Sequence, residues 1–200
     1  MRITGGTFKG RELKTVRQSK AGYRPATSKV REAVFSMLMA RGMEFSDARV
    51  LDVFAGSGSL GFEALSRGAS QAVFLEMDRT AIRIIKDNAA MLGVADQCLV
   101  LGGDALAKLR AGPGEIPFDV VFIDPPYGRD LLEPSLSTVI NQGWAADEAL
   151  VVAEVEARLS PPTEESLSGL EQLADKTYGQ TRIYIWKHVL LPSTPAPSTP

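Results

Sequence analysis

Between residues 49 and 153, short apolar runs alternate with longer segments whose apolar residues recur every three or four positions. The runs at residues 50–54, 72–76, 98–101, 119–123 and 149–153 read as strands buried on both faces. Residues 59–67 predict a helix stopped by Gly68. Residues 80–92 predict another, with Ile82, Ile85, Ala89 and Leu92 on one face and Gly93 at its C-terminal end. Upstream, Val30, Val34, Met37 and Leu38 follow the i, i+4, i+7, i+8 spacing of a helix over about residues 28–41, with Thr27 or Ser28 as N-cap. Gly112-Pro113-Gly114 breaks the chain before the fourth strand. Repeated βα units imply a parallel sheet with helices on both faces. The end of the chain changes pattern: residues 170–176 and 181–187 flank Tyr178-Gly179 as a β-hairpin. The expected fold is therefore α/β, a Rossmann-like, mostly parallel seven-stranded sheet closed by a C-terminal antiparallel hairpin.

Composition adds two things to this picture. A chain of 200 residues with 44% apolar content suits one globular domain with a real core. Its net charge of −2 hides an asymmetry: residues 1–31 hold nine Lys/Arg against one acid, a net +8, leaving 13 bases and 23 acids, a net −10, in residues 32–200. A basic arm on an acidic body marks a polyanion contact. Ile3, Phe8, Leu13, Val16 and Tyr23 interleave its charges. The organisation expected is a basic polyanion-binding arm over residues 1–27, a main α/β domain over 28–188, and a disordered Pro/Ser/Thr tail over 189–200.

One cysteine, Cys98, and one histidine, His188, rule out a disulfide framework or a Cys/His metal site within one chain. Cys98 opens a strand and is expected to fill core, and His188 has no evident catalytic partner. The start, Met-Arg-Ile-Thr-Gly-Gly, lacks a signal-peptide core, and no apolar run reaches the ~18 residues of a membrane span. A cytoplasmic monomer without metal is the expectation.

Candidate chemistry gathers at the ends of the strands, where open α/β sheets hold their ligands. Asp52-Val53-Phe54-Ala55-Gly56-Ser57-Gly58 joins the first strand to a helix through a glycine loop. Such a loop allows close backbone approach and presents helix N-terminal N–H groups. Alone it does not separate NAD, FAD and S-adenosylmethionine. Glu76, followed by Met77, ends the second strand, where a carboxylate can accept both ribose hydroxyls. Asp104-Ala105 follows the third, where an acid can accept from an adenine amine. The fourth strand ends in Asp124-Pro125-Pro126-Tyr127. An acid, two prolines that fix the backbone and a flat aromatic face suit a planar group bearing an NH2. A hydride-transfer enzyme would want a proton donor or acceptor beside its nicotinamide, and the only histidine lies far along in the terminal hairpin. The combination favours a methyltransferase.

Arg2-Ile3-Thr4-Gly5-Gly6, the segment Arg24-Pro25-Ala26-Thr27-Ser28-Lys29-Val30-Arg31-Glu32, the glycine loop and Asp124-Pro125-Pro126-Tyr127 together resemble the bacterial 16S rRNA guanine-N2 methyltransferase family over about residues 1–188. The glycine loop and the Pro-Pro motif specify only amino-group methyltransferases; the N-terminal segments narrow the resemblance to this family. It implies a class I methyltransferase fold, S-adenosylmethionine as donor, and the exocyclic N2 of one guanine in 16S rRNA of the small ribosomal subunit as acceptor. It places Asp124, Pro125, Pro126 and Tyr127 at the acceptor base. Asp52, Phe54, Gly56, Ser57, Gly58, Glu76, Met77, Asp104 and Ala105 fall at the cofactor, and Lys9, Arg11, Lys14 and Arg24 on RNA phosphates. The competing readings are an N6-adenine DNA methyltransferase, a non-catalytic RNA-binding ribosome-assembly protein and a nicotinamide oxidoreductase. No sizeable target-recognition domain for DNA is visible in 200 residues.

Overall fold

Seven strands form one sheet in the order β3-β2-β1-β4-β5-β7-β6 in the computed structural model, which describes residues 1–16, 28–114 and 117–190. Strands β1 (Arg49–Val53), β2 (Gln71–Glu76), β3 (Cys98–Gly102), β4 (Phe118–Ile123) and β5 (Ala145–Glu156) pair in parallel. The hairpin β6 (Leu170–Tyr178) and β7 (Thr181–His188) joins through β7, antiparallel to β5. The expected seven strands and closing hairpin are all present.

Alternate residues of each strand feed two cores. Val50, Phe74, Val120, Phe122, Val152 and Ile183 pack beneath helices α1 (Ser28–Met39), α2 (Ser59–Ser66) and α3 (Arg79–Leu92). Leu51, Val73, Val121, Ile123, Val151 and Trp186 pack on the other face with α4 (Ala105–Arg110) and α5 (Leu132–Asn141). Helices α4 and α5 have no counterpart in the hydrophobic pattern. The first is only six residues long, and the second carries Pro134, tolerated because it lies in the first turn, where no intrahelical N–H bond is lost. Strand β5 starts before its apolar run: Glu148, at φ 64, belongs to an irregularity that turns polar residues out of the ladder. Asp78 caps α3 by accepting from the Ala81 N–H at 2.8 Å, and Gly93 ends it in the left-handed conformation.

Residues 1–14 fold back on this frame. Arg2 bridges Glu12 in antiparallel fashion, and Ile3 and Leu13 are buried in the core beneath α1–α3. Gly6 lies so close to α2 that a Cβ there would meet the Ser66 carbonyl oxygen at 1.7 Å. The anchor is Glu63, fully buried in α2. Its carboxylate accepts from Thr4 N (2.8 Å), Thr4 Oγ1 (2.7 Å), Gly5 N (2.8 Å), Arg31 Nε (3.3 Å) and both Nε and Nη2 of Arg67 (3.2 and 2.9 Å). Arg31, counted by the sequence among the charges of the arm, is buried in α1 and also donates to the Arg2 carbonyl. Arg24, the N-cap candidate Thr27 and tail residues 191–200 lie outside the described residues. No helix among the described residues is long and apolar enough to cross a membrane.

Asp52 fixes how α2 leaves β1, because its buried carboxyl accepts from the Gly61 N–H at 3.0 Å. Burial pushes its pKa up to about 8, the Gly61 bond opposes this, and Glu76 adds to it. An unfolded aspartic acid loses its proton near pH ~4. The folded state therefore holds an extra proton between about pH 4 and 8, and stability falls as pH rises through that window. Asp52→Asn keeps an acceptor for Gly61 and removes the titration. In thermal melts, the variant should match the wild type at pH 4 and be more stable at pH 8.5, by an amount on the order of a few kcal/mol. A stability difference that does not change with pH would show that Asp52 is ionised in the fold.

Candidate active site at the carboxyl ends of the strands

Four carboxyl groups rise where the parallel strands end. Asp52 and Glu76 fall at positions of β1 and β2 that alternate onto the α1–α3 face. In the register of β4 and β5, Ile123 pairs with Ala153, so Asp124 and Glu154 occupy the next, adjacent positions. Asp124 is half-buried, and its N–H still bonds the Val53 carbonyl at 3.3 Å. Burial raises its pKa well above the ordinary carboxylate range, and the charges of Glu154 and Asp52 raise it further. Glu154 is buried, which pushes it up to about 7 against the pull of Arg31. The crowding is electrostatic: like charges that share a desolvated site cannot all ionise at neutral pH.

The glycine loop crosses this cradle under strain. Phe54, a residue with a side chain, adopts φ 63, followed by Gly56 at φ 56 and Gly58 at φ 77. Backbone held in this region marks functional turns. At Gly58 a Cβ would also press on Phe62 at 2.8 Å and Phe74 at 3.0 Å, so the loop must pass without a side chain to reach the helix start. Glu76 holds the loop from below. Its Oε2 accepts from Gly56 N at 2.7 Å, and its Oε1 accepts from Met77 N and Asp78 N at 2.8 Å each. The sequence predicts a ribose acceptor here; in the structure this carboxylate organises the loop. A carboxylate has about four acceptor sites, so a further hydroxyl can be received. Ser57 is buried, and its carbonyl accepts from Asn88 Nδ2 at 3.3 Å. Met77 is exposed at the rim. Asp104 caps α4 through Oδ1, which accepts from Ala107 N at 2.8 Å, and Ala105 is buried behind it.

Beyond β4 the chain turns through Pro125, buried, and Pro126, exposed, to the half-buried Tyr127. Burial raises the Tyr127 pKa, opposed by a hydrogen bond with the Thr181 side chain of the terminal hairpin. These three residues form one wall of a cleft of about 490 Å³, whose other walls are the start of α5 and the chain after β5, including Leu159, Pro161 and Pro162. The glycine loop does not line that cleft. Asp124 itself does not line the cleft; it immediately precedes the prolines that do.

Of the arm residues assigned to RNA, Lys9, Arg11 and Lys14 are on the surface or part-exposed, with Lys14 Nζ 2.9 Å from Asp87 and Arg11 Nη2 3.1 Å from the Met91 carbonyl. Both partners belong to α3 or its end. Cys98 is part-buried at the edge of the core, with its thiol pushed up to about 12 by burial. His188 is buried, with Nδ1 2.7 Å from the Ala146 carbonyl, far from the cradle in the fold's terminal strand. Sequence reasoning missed Glu154, Arg31, Glu63 and Asn88. Glu63 was detectable as the one acid in the apolar run Leu60-Gly61-Phe62-Glu63-Ala64-Leu65. Glu154 stood out less, because its strand ends in alternating acids.

Against known proteins the chain shows one consistent likeness. The family described as conserved hypothetical protein 95 matches residues 1–187. The ribosomal RNA small subunit methyltransferase D of Escherichia coli is 42% identical over 163 residues, covering 82% of this chain and 78% of that protein. The solved structure of Escherichia coli yhhF, provisionally described as a methyltransferase, superposes with a TM-score of 0.80 at 37% identity, covering 96% of this chain and 99% of that one. An RNA methyltransferase from Salinibacter ruber, solved with S-adenosyl-L-homocysteine, shares the fold at 17% identity and a TM-score of 0.59, over 86% of this chain and 98% of that one. Strand order, strained glycine loop and sequence likeness agree, and the chain belongs to the family of bacterial small-subunit ribosomal RNA methyltransferases.

Proposed function

We propose that this protein transfers a methyl group from S-adenosylmethionine to the exocyclic N2 of a guanine in 16S rRNA. The observation that carries the cofactor reading is the acidic lining of the cradle. Asp52, Glu76, Asp124 and Glu154 converge at the strand ends, and Arg31 is the cation whose field reaches Glu154. A dinucleotide would bring a pyrophosphate against these acids. A sulfonium with an α-ammonium group suits them, and its carboxylate can meet the N–H groups of the loop at the start of α2. When bound, the cofactor supplies an electrophilic methyl group on a positively charged sulfur.

The residues of the chain then have to orient a poor nucleophile. The lone pair of an exocyclic guanine amine is delocalised into the ring. A side-chain oxygen of Asp124 and the Pro125 carbonyl accept the two N2–H bonds and turn the lone pair toward the methyl, and the methylated amine then gives up its proton to solvent. Such positioning is worth up to ~7–11 kcal/mol for well-oriented reactants. Tyr127 fixes the plane of the base by stacking, at ~1–3 kcal/mol. The cleft beyond the prolines gives an unstacked base room to enter, since a base must leave its stack before its amine can be reached. Glu76 receives the ribose and Asp104 the adenine amine in this reading, while Lys9, Arg11 and Lys14 meet phosphates and set register without reading sequence.

Incubation with tritiated S-adenosylmethionine and one of three acceptors tests the reading. Label should enter 16S rRNA within small ribosomal subunits, and neither plasmid DNA nor a nucleotide-free control. Labelled DNA would favour the adenine alternative, and no transfer at all would contradict enzymatic methylation.

Two variants test the division of roles. Asp124→Ala should lower kcat by roughly a hundredfold, the scale seen when one oriented hydrogen-bonding group is lost, with cofactor affinity changed much less. Tyr127→Phe keeps the ring and should stay near wild type, whereas Tyr127→Ala should lose about tenfold or more. Equal damage from both Tyr127 variants would show that the hydroxyl, and not the ring, carries the function.

A further inference from the structure

Asn88 hydrogen-bonds both the arm and the glycine loop. It is fully buried on α3, and every polar atom of its amide is engaged. Oδ1 accepts from the Lys14 N–H at 2.9 Å, and Nδ2 donates to the Lys14 carbonyl at 3.0 Å. The same Nδ2 donates to the Ser57 carbonyl at 3.3 Å. The two shorter bonds, both to the arm, fix the plane of the amide, and that plane sets where the third bond can hold the loop. Chemistry explains the residue type. An aspartate would offer no donor to the two carbonyls, and an alanine would leave the buried Ser57 carbonyl without this donor and the Lys14 backbone without its tie to the helix.

Lys14 is also tied to the same helix through its side chain, with Nζ 2.9 Å from Asp87, the neighbour of Asn88. Both groups of that ion pair are about half exposed, with side-chain accessibilities of 57% and 43%, so a phosphate can compete with Asp87 for the ammonium. A polyanion drawn to the arm therefore bears on the Lys14 backbone, which Asn88 joins to Ser57. Arg11, which reaches the Met91 carbonyl at the end of α3, lies on the same strip.

We propose that Asn88 is a positioning residue that joins the arm to the glycine loop, so that polyanion binding on the arm and cofactor binding in the loop are cooperative. This inference rests on the reading of the arm as the RNA contact. Thermodynamic linkage requires the coupling to be reciprocal: each ligand tightens the other by one common factor. The arm is then part of the cofactor site's support, and not an appendage that acts separately from it.

The test uses the full chain, deproteinised 16S rRNA and S-adenosylhomocysteine, which binds without turnover. Calorimetry gives the homocysteine-product affinity with and without RNA, and filter binding gives RNA affinity with and without the product. The wild type should show the same tightening in both directions, about fivefold or more, the lower end of common coupling factors. Asn88→Ala should reduce that factor to near one while RNA affinity without product is kept within a few-fold. Lys14→Pro removes only the backbone N–H given to Oδ1, besides the side chain, and should also lower the factor. Lys14→Ala retains that N–H, and should keep the larger share of the coupling even though it loses a phosphate contact. Circular dichroism checks the fold of each; if Asn88→Ala does not fold, the contrast between Lys14→Pro and Lys14→Ala decides. A wild-type factor of one, an Asn88→Ala factor equal to that of the wild type, or equal factors in the two Lys14 variants would overturn the inference. Failure of the wild type to bind RNA at all would overturn the RNA reading as well, whereas RNA binding without coupling would overturn this inference alone.

Discussion

Glu63 receives six hydrogen bonds in a site from which water is excluded, and three separate parts of the chain meet on its two oxygens. The N-terminal segment arrives through Thr4 and Gly5, α1 through Arg31, and the end of α2 through Arg67. A buried carboxylate is tolerable only when its lone pairs are filled by charged or well-aligned donors. Here they are, so each part is held in place by the need of the others. Removal of one member of such a buried pair typically costs ~3–5 kcal/mol, because the partner is left charged and dry. The position of α2 depends on this site, and the glycine loop leads straight into α2.

Arg31 also acts on the acidic cradle. Its guanidinium bonds Glu63, and its field also acts on Glu154, which in turn acts on Asp124. The charge that secures the N-terminal segment is thus the same one that moderates the acids beside the acceptor loop. Asp52 adds a neutral carboxyl at physiological pH, pushed up to about 8, which lets four acids crowd one strand-end region while only some of them ionise. Such a site is poorly suited to an anion and well suited to a cationic methyl donor.

Much of this was legible in the sequence, and the parts that were not share a physical cause. Period-two and period-3.6 patterns disclosed every strand and helices α1–α3, because these elements are long or fully apolar. Helix α4 was too short to show a period, and α5 carries a proline in its first turn. Asp124-Pro125-Pro126-Tyr127 and the glycine loop were legible as chemistry because their residue types are unusual together. Arg31 was counted with the charges of the arm: composition sums charges along the chain, whereas its burial follows from a partner 32 residues later. Asn88 carried no local signal at all, since an asparagine in a helix becomes informative only once Lys14 and Ser57 are seen on either side of it.

The central claim is that this cradle presents a guanine amine to a sulfonium methyl. The most direct measurement is the chemical identity of the product. Small ribosomal subunits methylated by the protein can be digested to nucleosides and resolved by mass spectrometry against synthetic standards. The account predicts N2-methylguanosine as the nucleoside that gains the methyl group. A methyl group found on adenine N6, on a ring nitrogen or on a ribose would contradict it, because Asp124, Pro125 and Tyr127 would then be holding something other than the amine for which their geometry was argued.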